Sequence, residues 1–376
     1  MQALLVLLFA AVTQASLAPF YRVEPNIPGQ YIVALEDSVD VGRFATSIKT
    51  GTVRKTLTGI INAVVLTLDD NLLDIVRGLN GVRYIEEDGL ATVLGSRDPV
   101  QYWGLDRIGQ RTMPLDVNIT FSGTGSGANV FIVDTGIQYN HEDFDGRAHE
   151  FFDYETSGNG ADCHGHGTHC AGTAGGTYSG VAVDTNLYSV RVMTCRGSGS
   201  YSNIIAGLNA VADSALTKKV ASMSIGGGYS LALNNAVQSA VDNDVVVVVA
   251  AGNDNADACN YSPASAASAV TVGATRKSID GQSDLRSSFS NYGTCLDIFA
   301  PGSSINSAKY DSSKDKYTSM SGTSMACPHV AGAAAVIRGN ADMSPSSVTG
   351  KLIDNATPDQ ITSPGTGSPN LLLYVA

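Results

Sequence analysis

The run DVVVVVAAGND at 244–254 constrains the fold more than any other stretch of the chain. Valines in succession favour an extended backbone, because β-branched side chains are stiff at χ1 and pack well on a pleated surface. Successive side chains of a strand point to opposite faces. A strand with valine at every position therefore buries both faces. That is the condition of a parallel sheet covered on both sides, not of an antiparallel sheet wetted on one. Further apolar runs, ANVFIVD, TNLYSVRVM, VASMSIG and AVTVGA, read as strands. SNIIAGLNAVADSAL, ALNNAVQSAVDN and GTSMACPHVAGAAAVIRG read as helices. The alternation predicts an α/β domain with a mainly parallel sheet and helices on both faces. In such sheets functional groups gather beyond the carboxyl ends of the strands.

Four segments carry chemistry. FIVDTG (131–136) reads as a short buried strand ended by Thr-Gly, which sets Asp134 where a carboxylate can be held, desolvated and aimed at a neighbour. CHGHGTHCAG (163–172) holds His166 in a glycine-spaced loop. GTSMACPHVAG (322–332) puts Ser324 on small residues ahead of an apolar helical stretch, whose N–H groups can face developing negative charge. A serine hydroxyl is a poor nucleophile at neutral pH. It needs an imidazole to take its proton, and the imidazole needs an anion to fix its tautomer and stabilise its charged form. Asp134, His166 and Ser324 suit those roles, in the chain order Asp, His, Ser. Asn253, at the exit of the oligovaline strand, suits a fourth role as an amide donor to an oxyanion, beside the backbone N–H of Ser324.

These residues also have plainer uses. A D-T-G triplet marks aspartic peptidases, but a single-chain one needs two such loops, and no second D-T-G or D-S-G occurs. His164, His166 and His169, flanked by Cys163 and Cys170, offer a metal cluster as a rival reading. His169 reads instead as a structural histidine behind the catalytic loop, and His329, after Pro328, as a core residue.

Taken in order, DTG, HGTH, AAGN and GTSMA-x-P resemble the subtilisin family of serine peptidases. YWGLDRI (102–108), SVRVMTCRGSGSYSNIIAG (189–207), SMSIGGGYS (222–230), CNYSPAS (259–265) and SSFSNYGTCLDIFAPG (287–302) resemble its proteinase K-like branch. The resemblance spans 96–376 and implies a subtilisin-like endopeptidase. It implies that Gly197, Ser198 and Gly199 on one side, and Ser224, Ile225 and Gly226 on the other, sandwich the substrate backbone as a third strand. Ser224, Ile225 and Gly226 would also wall the pocket before the scissile bond, together with Ala250, Ala251 and Gly252. Those walls are small and carry no acid, so broad preference for aromatic or aliphatic residues is expected. The resemblance implies disulfides Cys163–Cys195 and Cys259–Cys295. Cys170 and Cys327 would then be buried free thiols, or be bonded to each other. It implies a structural calcium ion held by Asp297 and the carbonyls of Ala267 and Ala269, and no organic cofactor. A second calcium site maps to Asp106, Gln110, Asp116 and Asn118, weakened because Gly109 stands where relatives have a carboxylate. Asn118, Asn260 and Asn355 each open a glycosylation sequon.

Residues 16–95 form a separate segment. GQYIVAL, INAVVLTL and VRYIEED read as strands, VGRFATSI and NLLDIVRGL as helices. This β-α-β-α-β order suits a small ferredoxin-like α/β pro-domain and resembles the inhibitor-type pro-segment of subtilisins, an intramolecular chaperone and inhibitor. Its tail would lie in the cleft as a product-like peptide, with self-cleavage near residues 95 and 96. An ordinary N-terminal domain, or a permanently inhibited precursor acting as a non-enzymatic scaffold, are the rivals. Residues 1–15 read as a secretory signal whose apolar core is too short to span a bilayer, although no cation stands near its start. Net charge −12 argues against nucleic acid or anionic membrane as partners. With 15% charged residues and 40 glycines, the chain reads as compact, loop-rich and extracellular; the resemblance implies a monomer acting on proteins and peptides.

Overall fold

A computed structural model of the chain describes residues 17–24, 26–93, 96–97, 102–116, 118–155 and 158–375; for 90–93 and 96–97 only the backbone is described. The signal segment and the 95–96 junction lie outside these residues. The main sheet runs Leu371–Leu372, Ile298–Pro301, Val270–Lys277, Val245–Ala250, Lys219–Met223, Asn129–Asp134, Asn186–Arg191, Ala148–Asp153, and each neighbouring pair in this row is parallel. The oligovaline strand is central, and its two faces enter two different cores. Val246, Val248 and Ala250 pack with Met325, Ala326 and Val330 of the helix Thr323–Asn340. Val245, Val247 and Val249 pack with Ile204 and Leu208 of the helix Tyr201–Asp213, and with Leu233 and Val237 of the helix Leu231–Asp242. Fully burying such a side chain is worth roughly 1.5–3 kcal/mol, and here none is wasted on a wet face. The expected α/β architecture, parallel sheet and two helical layers are therefore what the chain adopts.

Some elements had no clear signal. His166 is not in a loop but is the first residue of a helix, His166–Gly175. The composition of that helix gives no apolar stripe, and all ten residues are buried, so packing against Thr323–Asn340 and the sheet decides its conformation.

The N-terminal unit is an antiparallel sheet in the order Val82–Val93, Asn26–Leu35, Ala63–Thr67, Thr52–Leu57, with helices Val41–Ser47 and Leu73–Arg77. Thr52–Leu57 is an addition to the expected order. It is a mostly exposed edge strand, TVRKTL, with charged residues where an apolar alternation would have revealed it. Tyr31, Val33 and Leu35 face the unit's own helices through Val41, Phe44, Leu73 and Val76. Ile32 and Ala34, on the other face, join Val65 and Tyr84 against Ile204, Leu208 and Val211 of the main domain.

Two acids on the strand Val82–Val93 fasten this docking. Glu86 accepts from Ser230 Oγ and from Ala232 N (3.0 Å), at the start of Leu231–Asp242. Asp88 accepts from Ser202 N (3.1 Å), at the start of Tyr201–Asp213, and from Gln30 Nε2 (2.5 Å). Carboxylates there meet unsatisfied N–H groups and the positive end of each helix.

Candidate active site

Asp134 ends its strand at the carboxyl edge of the sheet and is fully buried. Its Oδ1 accepts from Thr135 N at 2.7 Å and lies 2.8 Å from His166 Nδ1; Oδ2 lies 2.9 Å from the same nitrogen. Burial alone would lower the imidazole's affinity for a proton. The adjacent Asp134 carboxylate outweighs it and holds the His166 pKa well above the ordinary value. Around this pair Asp162, also buried, accepts from Thr135 Oγ1 (2.9 Å), Gly165 N (2.9 Å) and Thr168 N (3.0 Å). Thr135 Oγ1 in turn accepts from Gly167 N at 2.9 Å. Asp162 and Thr135 thus lock the aspartate and histidine segments together, and nothing in the motif reading had singled them out.

Ser324 is the second residue of the helix Thr323–Asn340, so its N–H belongs to the first turn, whose donors have no helical acceptor. Its Oγ donates to Ser224 O at 3.1 Å rather than to His166, whose Nε2 has no hydrogen-bond partner among the described residues. The two residues meet through Cys170, whose Sγ lies 3.8 Å from His166 Nδ1 and 3.4 Å from Ser324 O. Asn253 follows the oligovaline strand. Its Oδ1 accepts from both Thr323 N and Thr323 Oγ1 at 2.9 Å, which fixes the amide and leaves the Nδ2 hydrogens to point elsewhere. Gly252 before it has φ +106°, and a Cβ there would stand 2.3 Å from Asn291 Nδ2, so the sharp exit that delivers Asn253 requires glycine.

The chain's own backbone occupies the groove between the two expected substrate-pairing edges. Ser198, Gly199 and Ser200 pair antiparallel with Thr92, Ala91 and Leu90. On the other side Ile225 and Gly226 pair antiparallel with Val93 and Thr92. Gly197 is the turn residue leading into the first edge, with φ +76°. Beyond the groove, Ser96 and Arg97 pair with Ser321 and Met320, just ahead of the serine helix. Ser224 lies between the strands Lys219–Met223 and Ile225–Gly228. It is buried, as are Ala250 and Ala251 at the end of the neighbouring strand.

The other histidines are accounted for by packing. His169 Nε2 lies 3.0 Å from Ile305 O and 3.1 Å from Thr318 O, and burial pushes its pKa down to about 3. His329 Nδ1 lies 2.7 Å from Met325 O, with its pKa pushed down to about 4 by burial. Among the described residues the group of potential ligands close enough to hold an ion is Asp134, His166 and Cys170, without His164 or His169. Cys163–Cys195 and Cys259–Cys295 are disulfides, and Cys170 and Cys327 are buried free thiols.

Asp297 precedes the strand Ile298–Pro301. Its Oδ2 accepts from Thr271 N at 2.7 Å, and burial pushes its pKa up to about 6. Asp297 is thereby held against the start of the strand Val270–Lys277, just after Ala269, and its part-buried carboxylate is a hard oxygen donor of the kind calcium takes. In the second candidate set, Gln110 Oε1 accepts from Asp116 N (3.0 Å), Asp116 Oδ1 from Asn118 N (3.0 Å), and Asn118 Oδ1 from Thr120 Oγ1 (3.0 Å). These oxygens are already used in local turns.

Residues 125–370 match the family model described as the subtilase family. An extracellular serine proteinase of Thermus sp. (strain Rt41A) is 45% identical over 97% of this chain and 94% of its own length. Proteinase R of Parengyodontium album is 39% identical over 93% of this chain and 89% of its own. A solved structure of a cold adapted subtilisin-like serine proteinase matches with TM-score 0.69 and 48% identity, covering 73% of this chain and 98% of that one. A sheet edge that presents an aspartate–histidine pair beside a serine at a helix start is thus found in a chain that belongs to the subtilase family, a subtilisin-like serine proteinase.

Proposed function

We propose that the protein is a secreted, self-processing endopeptidase that works through Asp134, His166 and Ser324. The observation that carries this reading is the buried contact between His166 Nδ1 and Asp134, beside the helix start that bears Ser324. In the reaction Ser324 Oγ leaves the Ser224 carbonyl, gives its proton to His166 Nε2 and attacks the peptide carbonyl. Asp134 orients the imidazole and stabilises its charged form. The oxyanion is held by Asn253 Nδ2 and the Ser324 N–H. His166 then protonates the leaving amine, and water, deprotonated by His166, hydrolyses the acyl-enzyme.

Substrate enters as a strand between residues 197–199 and 224–226. The pocket walled by Ser224, Ile225, Gly226, Ala250, Ala251 and Gly252 favours apolar and aromatic residues over charged ones. Residues 1–15 direct secretion, 16–95 assist folding and inhibit, and 96–376 form the peptidase. The pairing of residues 90–93 along both groove edges supports the inhibitory role of the segment. Calcium at Asp297, Ala267 and Ala269 supplies stability and no chemistry.

Mass spectrometry of the secreted protein with a sulfonyl fluoride tests the set. One adduct on Ser324, lost activity and a mature chain starting near Ser96 are expected, with Ser324→Ala remaining at precursor size. No adduct on a folded, processed protein, or normal processing of Ser324→Ala, would refute it.

A further inference from the structure

In an α-helix each carbonyl accepts from the N–H four residues on. Four residues after Ser324 stands Pro328, inside the helix Thr323–Asn340. Proline has no N–H, and its ring presses on the carbonyl four residues back. The Ser324 carbonyl is therefore denied its helical donor, in a residue that is fully buried. Two side chains from other elements reach it. Ser224 Oγ donates at 2.8 Å, from the junction that leads into the substrate-pairing edge. Cys170 Sγ approaches at 3.4 Å, from one turn beyond His166 on the histidine helix. Burial pushes the Cys170 thiol up, so it keeps the proton it donates. Ser224 is tied back a second time, because its carbonyl accepts from Ser324 Oγ at 3.1 Å.

We propose that Ser224 and Cys170 are positioning residues for the nucleophile. Their hydroxyl and thiol replace the helix N–H that Pro328 withholds, and so fix Ser324 against the substrate edge and the histidine helix at once. An intact helical hydrogen bond would tie Ser324 only to its own helix. The motif spacing S-x-x-x-P is the sequence mark of this exchange. The inference rests on the catalytic role proposed for Ser324.

The test is a double-mutant comparison on secreted, processed enzyme. Ser224→Ala lowers kcat about fivefold to tenfold, the size of one net hydrogen bond, with KM near the parent's. In a Pro328→Ala background a helix N–H again meets the Ser324 carbonyl, and the same Ser224→Ala change costs less than about twofold. Equal losses in the two backgrounds, or a loss confined to KM, overturn the proposal. Should Ser224→Ala fail to mature, Cys170→Ala and Cys170→Ser give an independent reading. Alanine lowers kcat and serine, which restores a donor, recovers it; alanine and serine behaving alike overturns the thiol's part. A parent enzyme that takes no sulfonyl adduct on Ser324 refutes the catalytic assignment instead, and so separates the two failures.

Discussion

The grip of the N-terminal unit should weaken as pH rises, and Glu86 sets the size of the effect. Its carboxyl is fully buried at the start of the helix Leu231–Asp242. Burial, opposed by the bonds to Ser230 and Ala232 and reinforced by the charge of Asp88, pushes its pKa from 4.5 up to about 7. A carboxyl whose pKa is higher when docked binds a proton on docking. Its contribution is complete below about pH 4.5 and is lost as pH rises through about 7. At 1.36 kcal/mol per unit this is about 3 kcal/mol, a factor of a few hundred in the opening equilibrium. Asp88, also raised by burial, acts in the same direction. Hydrogen exchange of full-length Ser324→Ala, corrected for intrinsic rates, measures it. Amides paired across Asn26–Leu35 and Val82–Val93 should lose protection between pH 4.5 and 8, and Glu86→Gln should remove most of that slope. Protection that is constant or rises with pH, or a Glu86→Gln chain with the full slope, would show that the buried carboxyl is not the controlling group.

Three further outcomes are expected. Asn253→Ala lowers kcat about a hundredfold or more at unchanged KM, a figure that comes from subtilisin-like enzymes themselves; peptide hydrolysis rates check it. Chelating calcium lowers the thermal midpoint of the processed enzyme while leaving kcat at low temperature intact, and Asp297→Ala makes the midpoint insensitive to the chelator. Arg107→Met strands Asp284, whose carboxylate lies 2.8 Å from the guanidinium with 1% side-chain exposure, and costs about 3–5 kcal/mol in denaturant titrations of Ser324→Ala.

What could be read from sequence depended on whether the cause was local. Five valines in a row fix a doubly buried strand because side-chain alternation is a property of each residue in turn. Asp134 and Asn253 could be placed at strand exits for the same reason. The helix at His166 was not legible, since its alanines favour a helix while its glycines and threonines oppose one, and the decision comes from neighbours distant in sequence. Glu86 and Asp88 looked like ordinary strand acids. Their partners lie 144 and 114 residues away, at helix starts that exist only once the main domain has folded. The direction of the Ser324 hydroxyl was equally hidden. A single χ1 rotation separates a bond to Ser224 from any other, and no pattern of residue types encodes a rotamer.

The strand Val82–Val93 belongs to two sheets: it is paired with Asn26–Leu35 over its first part and lies in the groove by residues 90–93. Two attachments, a docked face and a short tail, thereby share one stiff tether. While the face is seated, the tail meets the groove at high effective concentration, and its own few hydrogen bonds need not be strong. Breaking the chain after the tail would leave both attachments in place. If residues 16–95 inhibit as proposed, activity would then appear not when the bond is cut but when the N-terminal unit opens or is digested, and the delay before activity would be set by the lifetime of that small sheet.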